Sequence, residues 1–294
     1  MGTIKQSLGR VALGAVAAGA TTAAISAVRS SKRAADLERV NHKGDVVSLA
    51  EGPGVAIGAT AGAVAGASTP AYAAAAACSG LVSGAVGLYD DMEDTKGESA
   101  KGLKGHLGAL KEGRLSAGAV KILGISAAGL ASAALVDASS DKRRRGWRGL
   151  LSTAVGGGVI AGAANLVNLF DLRPGRALKV STASSLLLSA RAGKRAPSTA
   201  VPAINTAVAV QSAAATALPE DLEGKTMLGD CGANSLGALL GLSYVARTGL
   251  IGRGLALAAI AGLTLASERV SFTEVIAETP ILRELDELGR DTAK

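Results

Sequence analysis

Long runs without a charged side chain restrict the folds that this sequence can adopt. A helix that crosses a bilayer needs about 20 predominantly apolar residues. Lipid offers no hydrogen-bonding partners, so a spanning segment must pair its own backbone groups, which favours helices. The pattern therefore predicts an all-α, polytopic membrane protein. Asp, Glu, Lys and Arg are absent from 11–28, 54–89, 149–170, 196–219, 231–246 and 254–267.

The composition agrees with a bilayer environment. Hydrophobic residues make up 48% of the chain and the mean hydropathy is +0.34, yet aromatic residues account for only 2%. Soluble cores normally use more Phe, Tyr and Trp, whereas small residues let membrane helices approach closely. A soluble Ala- and Gly-rich α protein or a low-complexity chain is the alternative. Charge-free runs that recur at membrane length disfavour it.

The runs predict about nine transmembrane helices within a membrane domain at 1–270, followed by a C-terminal tail at 271–294. Ser68-Thr69-Pro70 divides the longest run, because proline disfavours helix in the residue before it. The first span could be a secretory signal peptide, but the many later spans favour a retained helix. The predicted spans are 8–28, 54–69, 71–89, 115–136, 149–170, 175–192, 198–218, 231–247 and 250–267.

The basic residues predict the orientation of these helices. The loops predicted on one side of the membrane, together with the adjoining helix ends, carry 18 Lys and Arg residues, and those on the other side carry 12. The positive-inside rule makes the first side cytoplasmic, although Lys142–Arg145 is a basic run on the other side. We therefore expect a multi-pass protein of the cell membrane with its tail in the cytoplasm. The cytoplasmic loops are 29–53, 90–114, 171–174, 219–230 and 268–294.

The net charge of +7 indicates anionic partners. Together with the helices it favours membrane lipid and phosphates over nucleic acid, because the chain has almost no aromatic residues for base stacking. Cys78 and Cys231 lie on different segments and indicate neither a disulfide framework nor a zinc site. The sequence is compatible with a homodimer.

Asp90 and Asp91 are adjacent carboxylates at the end of the third predicted span. Two such groups repel each other unless a cation or a proton lies between them. Mg²⁺ satisfies that need, because it prefers oxygen ligands and substrate phosphates. The alternative is the solvated start of a loop, since Glu93 and Asp94 follow at once.

Asn165, Asn168 and Asp171 recur every three residues at the end of the fifth predicted span, along one side of a helix. Asparagine is costly among lipid chains unless it meets a polar partner, so the row predicts a polar cavity. Hydrogen bonding between helices is the alternative. Arg173 and Arg176 follow, and arginine suits anionic groups of a substrate. Anchoring of the next span explains them equally well.

Asp230 lies in Gly229–Gly232, just before the eighth predicted span. Backbone N–H groups at a helix N-terminus can receive phosphate, and an aspartate fits there if it holds a metal. An N-cap is the alternative, and alone the motif favours it. Lys121, within the fourth predicted span, and Lys43, in the first cytoplasmic loop, are candidate phosphate ligands. A snorkelling side chain and an ordinary polar loop are their respective alternatives.

In their order, these motifs resemble the polyprenyl-phosphate N-acetylhexosamine-1-phosphate transferases, the superfamily of the enzyme that makes lipid I in peptidoglycan synthesis. The resemblance covers about residues 35–270. The matching stretches are Gly87–Asp91, Leu115–Lys121, Asn165–Asp171 and Gly229–Asn234.

The resemblance implies Mg²⁺-dependent transfer of a sugar-1-phosphate from a nucleotide diphosphate sugar to a polyprenyl phosphate. By position, Asp90 and Asp91 would activate the lipid phosphate, and Asp91 and Asp230 would hold the metal. Lys121 would bind phosphate, and Asn168 and Asp171 would contact the nucleotide. Some of the predicted substrate-binding residues come from this resemblance and others from their own chemistry, as described above. The full predicted set is Lys43, Lys121, Asn165, Asn168, Asp171, Arg173 and Arg176.

The chain also departs from that family. The asparagine row usually continues as Asp-Gly-x-Asp-Gly, whereas Leu172–Arg176 follows here. A late His-rich box has no counterpart, because His42 and His106 are both early. The departures leave two alternatives open: a catalytically degenerate homologue that binds lipid phosphate or scaffolds an envelope-synthesis complex, and a small-molecule transporter. A transporter predicts polar residues near the bilayer midplane, whereas these cluster at one interface.

Overall fold

The computed structural model is largely helical and describes residues 2–40, 44–95, 117–142, 145–190, 193 and 196–290. Each predicted span overlaps helical residues, with boundaries shifted by up to six residues, and the third predicted span corresponds to two helices joined by a π-helical turn. The helices are α1 (Gly2–Arg29), α2 (Glu51–Ala65), α3 (Pro70–Ala77), α4 (Ser83–Thr95), α5 (Ala117–Ser139), α6 (Gly146–Phe170), α7 (Arg176–Leu188), α8 (Ala200–Leu222), α9 (Gly229–Arg247), α10 (Leu250–Ser267), α11 (Phe272–Glu278) and α12 (Pro280–Glu287).

Within the described residues, six helical segments are long and apolar enough to cross a membrane. This finding fits the predicted all-α membrane protein. The count of nine spans remains a prediction, because α2, α7 and α9 are not among these segments. The six segments are Gln6–Arg29, Pro70–Glu93, Ala117–Ser139, Gly146–Phe170, Ala200–Leu222 and Leu250–Ser267.

Helix α9 lies at the centre of the fold and packs against α2, α4, α6 and α8. Sixteen of its 19 residues are buried. Gly237 and Gly241 allow α6 to approach closely, because a Cβ at Gly237 would lie 2.3 Å from the carbonyl oxygen of Ala163. By contrast, only Arg253 is buried on α10. An apolar helix with an exposed surface of this kind suits contact with lipid.

The predicted division of the longest run at Ser68-Thr69-Pro70 is confirmed. Helix α2 ends at Ala65, and α3 begins at Pro70 after an extended Thr69. The backbone N–H of Tyr72 donates to Thr69 Oγ1 at 3.1 Å, which caps the new helix. Between α3 and α4 the chain forms a π-helical turn over Cys78–Val82 without leaving the helix.

A small antiparallel hairpin precedes α2, and the sequence pattern did not indicate it. Strand β1 (Glu38–Val40) pairs with β2 (Val46–Ser48). Ser48 also bonds the α8–α9 loop, because its carbonyl accepts from Met227 N at 3.0 Å and its N–H donates to Lys225 O at 3.2 Å. The hairpin therefore joins two of the predicted cytoplasmic loops.

The predicted tail contains α11 and α12, and both contact the preceding helices. The rings of Phe170 and Phe272 stack with centroids 5.5 Å apart. The Arg176 guanidinium donates to both carboxylate oxygens of Asp286, at 2.7 and 3.0 Å. These contacts attach the tail to the end of α6 and the start of α7.

Candidate active site

Lys121 joins two of the predicted acidic positions. Its ammonium group donates to Asp90 Oδ2 at 3.0 Å and also to Asp230 Oδ2. The three residues come from α5, α4 and α9, so three helices meet at this point. All three side chains are largely buried. The lysine therefore points into the protein rather than snorkelling.

Asp91 caps helix α9 from a different helix. Its Oδ1 accepts the backbone N–H of Asp230 and its Oδ2 that of Cys231, both at 3.0 Å. Arg39 lies beside it, with Nη2 3.9 Å from Oδ1. A carboxylate at this position satisfies free N–H groups and complements the helix dipole. Only 3% of Asp91 is exposed, so its contacts in this structure are those of a helix cap.

Gly229 makes this capping arrangement sterically feasible. Its φ of +62° lies in the left-handed region that glycine tolerates best. A Cβ there would also lie 2.9 Å from Asp91 Oδ2. The glycine motif thus begins a helix, as the capping alternative predicted, but the capping carboxylate is Asp91 rather than Asp230.

Asp171 and Asn168 complete the acidic cluster from the end of α6. Burial raises the pKa of Asp171 well above its usual range, and the charges of Asp221, Asp230 and Asp91 raise it further. Asp91 and Asp230 are joined by the cap of α9, and Asp171 is near enough for the charges of these carboxyl groups to act on it. We call the end of the helix bundle that carries Asp90, Asp171 and Asp230 the acidic end.

Asp230 is affected in the opposite direction. Burial raises its pKa, but hydrogen bonding with Asp90 and the charge of Lys121 outweigh burial and bring the pKa below its usual value. The amide of Asn168 contributes in the same direction. The pKa of Asp230 is therefore lowered while that of Asp171 is raised, so the acidic end contains carboxyl groups with different proton affinities.

Two further carboxylates, Glu51 and Asp221, are buried at the acidic end and were not predicted from the sequence. Thr226 donates its hydroxyl to Glu51 Oε2. Glu51 Oε1 and Asp221 Oδ2 are buried and have no hydrogen-bond partner among the described residues. Each lies just outside a charge-free run, as Asp91 and Asp230 do. That position next to an apolar segment was the available signal.

The remaining predicted residues lie apart from the Lys121 contacts. Asn165 is partly buried on α6, one turn before Asn168. Arg173 is exposed, whereas Arg176 is 5% exposed and bound to Asp286. Lys43 lies outside the described residues. Their substrate-binding roles remain predictions.

The acidic end offers oxygen ligands of the kind that Mg²⁺ binds. Asp90 and Asp230 each direct an oxygen at the same Lys121 ammonium group, so both carboxylates reach one cation. No set of three carboxylate, imidazole or thiol side chains in the described part of the chain is arranged to hold a metal by itself. That observation does not test the prediction, because Mg²⁺ commonly binds one or two carboxylates together with substrate phosphates.

No protein-family model matches the sequence, and no curated protein is detectably similar to it. Inference about function therefore depends on the chain's own residues.

Proposed function

We propose that the chain transfers a sugar-1-phosphate from a nucleotide diphosphate sugar to a polyprenyl phosphate in cell-envelope glycan synthesis. The observation that supports this proposal is the convergence of Asp90, Lys121 and Asp230 at one end of three helices. Asp171 and Asn168 lie beside them. In the proposed topology, the protein crosses the cell membrane several times and its acidic end faces the cytoplasm.

The reaction forms a bond between an oxygen of the lipid phosphate and the β-phosphorus of the donor. The bond from that phosphorus to the bridging oxygen breaks, and a nucleoside monophosphate leaves. Asp90 is the better placed of the aspartate pair to orient the acceptor or take its proton, because Asp91 is engaged with α9. Asp91 then acts as a positioning residue that fixes Asp230 opposite Asp90.

Charge neutralisation is the main requirement of this reaction, since the reactants are anionic. Bound Mg²⁺, held by Asp230 and Asp90, would offset the charge of the pyrophosphate and the leaving group. Lys121 would supply a second positive charge to a phosphate oxygen. Its contact with both carboxylates keeps the ammonium group at that position before substrate binds.

The same geometry gives some support to a second function, a degenerate homologue that binds lipid phosphate without turnover. Lys121 already neutralises Asp90 and Asp230, and Asp91 already caps a helix. A purely structural cluster would have these contacts too. In that case the protein would bind or scaffold other components of envelope synthesis.

The test is an assay of nucleoside monophosphate release. Purified protein is incubated with polyprenyl phosphate, Mg²⁺ and a panel of nucleotide sugars, beside an Asp230→Asn variant. Release that needs both lipid and metal and disappears in the variant supports the transferase. Binding of polyprenyl phosphate without release from any donor supports the degenerate homologue, and the absence of both contradicts both proposals.

A further inference from the structure

A polar cavity of about 130 Å³ lies between the α6–α7 turn and the C-terminal helices. Thr273 and apolar residues of α11 complete its wall. Four arginines face two carboxylates here, so the cavity has an excess of positive charge. The charged residues that line it are Arg173, Arg176, Arg283, Arg290, Asp286 and Glu287.

Two of the four arginines have fixed structural contacts. Arg176 binds both oxygens of Asp286 and the hydroxyl of Thr273, the latter at 3.0 Å. Arg290 donates to Asp286 Oδ2 at 3.0 Å and to Pro174 O at 3.3 Å. This shared aspartate holds the two guanidinium groups in place and fixes α12 against α7.

Arg173 and Arg283 are the other two arginines, and both side chains are exposed. Among the described residues, no hydrogen bond or ion pair engages either guanidinium group. Guanidinium groups on a preformed wall are well suited to bind a phosphate through paired hydrogen bonds. The cavity is therefore suited to an anion.

Helix α12 also exposes an apolar surface. Its residues at 281, 282, 285 and 288 lie on one side of the helix at 3.6 residues per turn. Ile281 is 71% exposed, Leu282 41%, Leu285 56% and Leu288 66%. Arg283 and Asp286 project from the remainder of the helix towards the cavity. An apolar face beside a charged face is the pattern of a helix that lies in a membrane interface.

We infer that this cavity binds the phosphate of an anionic phospholipid while the apolar face of α12 rests on its acyl chains. The cavity lies where α6 ends and α7 begins, and α6 is one of the helices able to cross a membrane. The Phe170–Phe272 stack holds α11 at the same level. A soluble phosphate compound would use the arginines but leave the apolar face uncovered, so the observations favour a lipid.

The first experiment removes the two unpaired arginines. Full-length protein carrying Arg173→Gln and Arg283→Gln is placed in nanodiscs of phosphatidylcholine with increasing phosphatidylglycerol, and bound lipid is counted by native mass spectrometry. We expect a roughly thirtyfold loss of affinity, because each arginine near a surface phosphate contributes about 1 kcal/mol, which corresponds to about fivefold in affinity. Both side chains are exposed, so the variant should fold.

The matched control carries Arg145→Gln and Arg148→Gln, which removes the same charge from exposed positions at the N-terminal end of α6. It should retain phosphatidylglycerol like the unmodified protein. Equal retention in all three proteins would overturn the inference, as would equal losses in the two double variants, since the latter would show a general charge effect.

A second arm distinguishes a lipid from a soluble ligand at the same arginines. Binding of inorganic pyrophosphate and of nucleoside diphosphates is measured for the same proteins. If the Arg173 and Arg283 variant loses nucleotide affinity and keeps phosphatidylglycerol, the cavity belongs to the donor site and the phospholipid inference fails. Loss of phosphatidylglycerol with unchanged nucleotide binding supports it, whatever the outcome of the transferase assay.

A third measurement tests the position of α12. Trp147 is the only tryptophan in the sequence. A protein that carries Trp147→Phe and Leu285→Trp therefore has a single tryptophan, and its fluorescence reports on α12. We expect strong quenching by lipids brominated near the headgroup. Lys225→Trp in the same background is the exposed control, in the α8–α9 loop, and should be quenched little. Equal quenching at both positions would contradict an interfacial helix.

Discussion

Two ion-paired clusters lie at opposite ends of the same two helices. Lys121 and Asp137 are separated by 16 residues of α5, which corresponds to about 24 Å of helix. On α9, Asp230 lies near one end and Val245 near the other. Each cluster contains a buried cation and aspartate, yet the two differ in how completely their charges are satisfied.

At the end opposite the acidic one, Arg253 is fully engaged and only 4% exposed. Its guanidinium group donates to both oxygens of Asp137, at 3.2 and 2.8 Å, and to the carbonyl oxygens of Val245 and Ser152. Thr153 also donates to Asp137, at 2.7 Å. Charge and hydrogen bonds balance, which is the condition for a buried ion pair with a structural role.

At the acidic end the balance fails. Lys121 is the basic partner of two carboxylates, Asp90 and Asp230. Asp171 lies near Asp91 and Asp230, and none of the ion pairs of the described residues gives it a basic partner. Such an excess of acid is costly to bury unless protons, a cation or a substrate offset it. Unsatisfied charge, rather than the presence of an ion pair, is therefore the feature on which the proposed ligand site rests.

The largest effect should come from Asp230→Asn in the transferase assay. We expect nucleoside monophosphate release to fall on the order of a thousandfold, because a positioned charge at the reacting phosphates is lost. Asp137→Asn at the opposite end should leave turnover per folded molecule unchanged. Comparable losses in the two variants would remove the functional distinction between the clusters.

The free energy of unfolding should change in the reverse order, with the larger loss at the Asp137 cluster and the smaller loss at the acidic end. Asp137→Ala leaves Arg253 buried without its carboxylate and should lower the free energy of unfolding by about 3 kcal/mol. Asp230→Asn should lower the free energy of unfolding far less, because Lys121 retains its hydrogen bond to Asp90. Denaturant unfolding of both variants in one detergent gives the comparison. A larger loss for Asp230→Asn would mean that the acidic end is the structural one.

The pH dependence of stability sharpens the same contrast. The pKa of Asp171 is raised on folding by burial and neighbouring carboxyl groups, so its protonated form is favoured in the folded state. Stability from this group is present below the ordinary aspartate pKa, about 4, and is lost as the pH rises through the raised value. Asp171→Asn should therefore raise the unfolding temperature at pH 8 and not at pH 4. Equal shifts at both pH values would contradict a buried, proton-favouring carboxyl group.

The smallest expected effect on stability comes from a substitution of Asp286. This residue also lies near the acidic end, but Arg176 and Arg290 match its charge. Burial raises its pKa, but Arg176 and Arg290 outweigh burial and lower the pKa below its usual value. The pair is therefore complete above pH of about 4 and weakens as the pH falls through the lowered value. Asp286→Asn should release α12 at a cost of about 1 kcal/mol.

Hydrogen exchange of residues 272–290 measures that release. Glu284→Gln, on the same helix and exposed, is the control and should leave exchange unchanged. Unchanged exchange in both variants would show that the ring stack, and not Asp286, holds the tail.

The apolar pattern predicted where the helices lie because bilayer length and charge exclusion act within one segment. For example, the fifth predicted span at 149–170 corresponds to α6 at Gly146–Phe170. Asp90 and Asp230 were also singled out, by their positions next to segment ends, and Lys121 was singled out as the charge within a span. The sequence placed the polar motifs at one interface, but it did not predict that Lys121 contacts both aspartates.

Pairs that are far apart in sequence and carry no local pattern were not predictable. Arg253 and Asp137 are 116 residues apart, and Arg176 and Asp286 are 110 apart. The sequence offered two interpretations of Arg176, as a substrate ligand or as an anchor for the next span, and its contact with α12 was neither. The capping of α9 by Asp91 likewise depends on how α4 and α9 pack, which no single segment encodes.

The π-helical turn at Cys78–Val82 has a consequence for how such a site is inherited. A π-helical turn commonly corresponds to one extra residue in an α-helix, and each residue rotates the downstream part of the helix by about 100°. A π turn winds less per residue than an α turn, so it absorbs the extra residue and preserves the direction of the helix beyond it. Asp90 and Asp91 lie downstream of this turn, so a relative with a regular α turn at this point would need one residue fewer to aim the same aspartates in the same direction. A one-residue alignment gap at the turn would then accompany a shared site, whereas a gap elsewhere in α3 or α4 would turn the aspartates away.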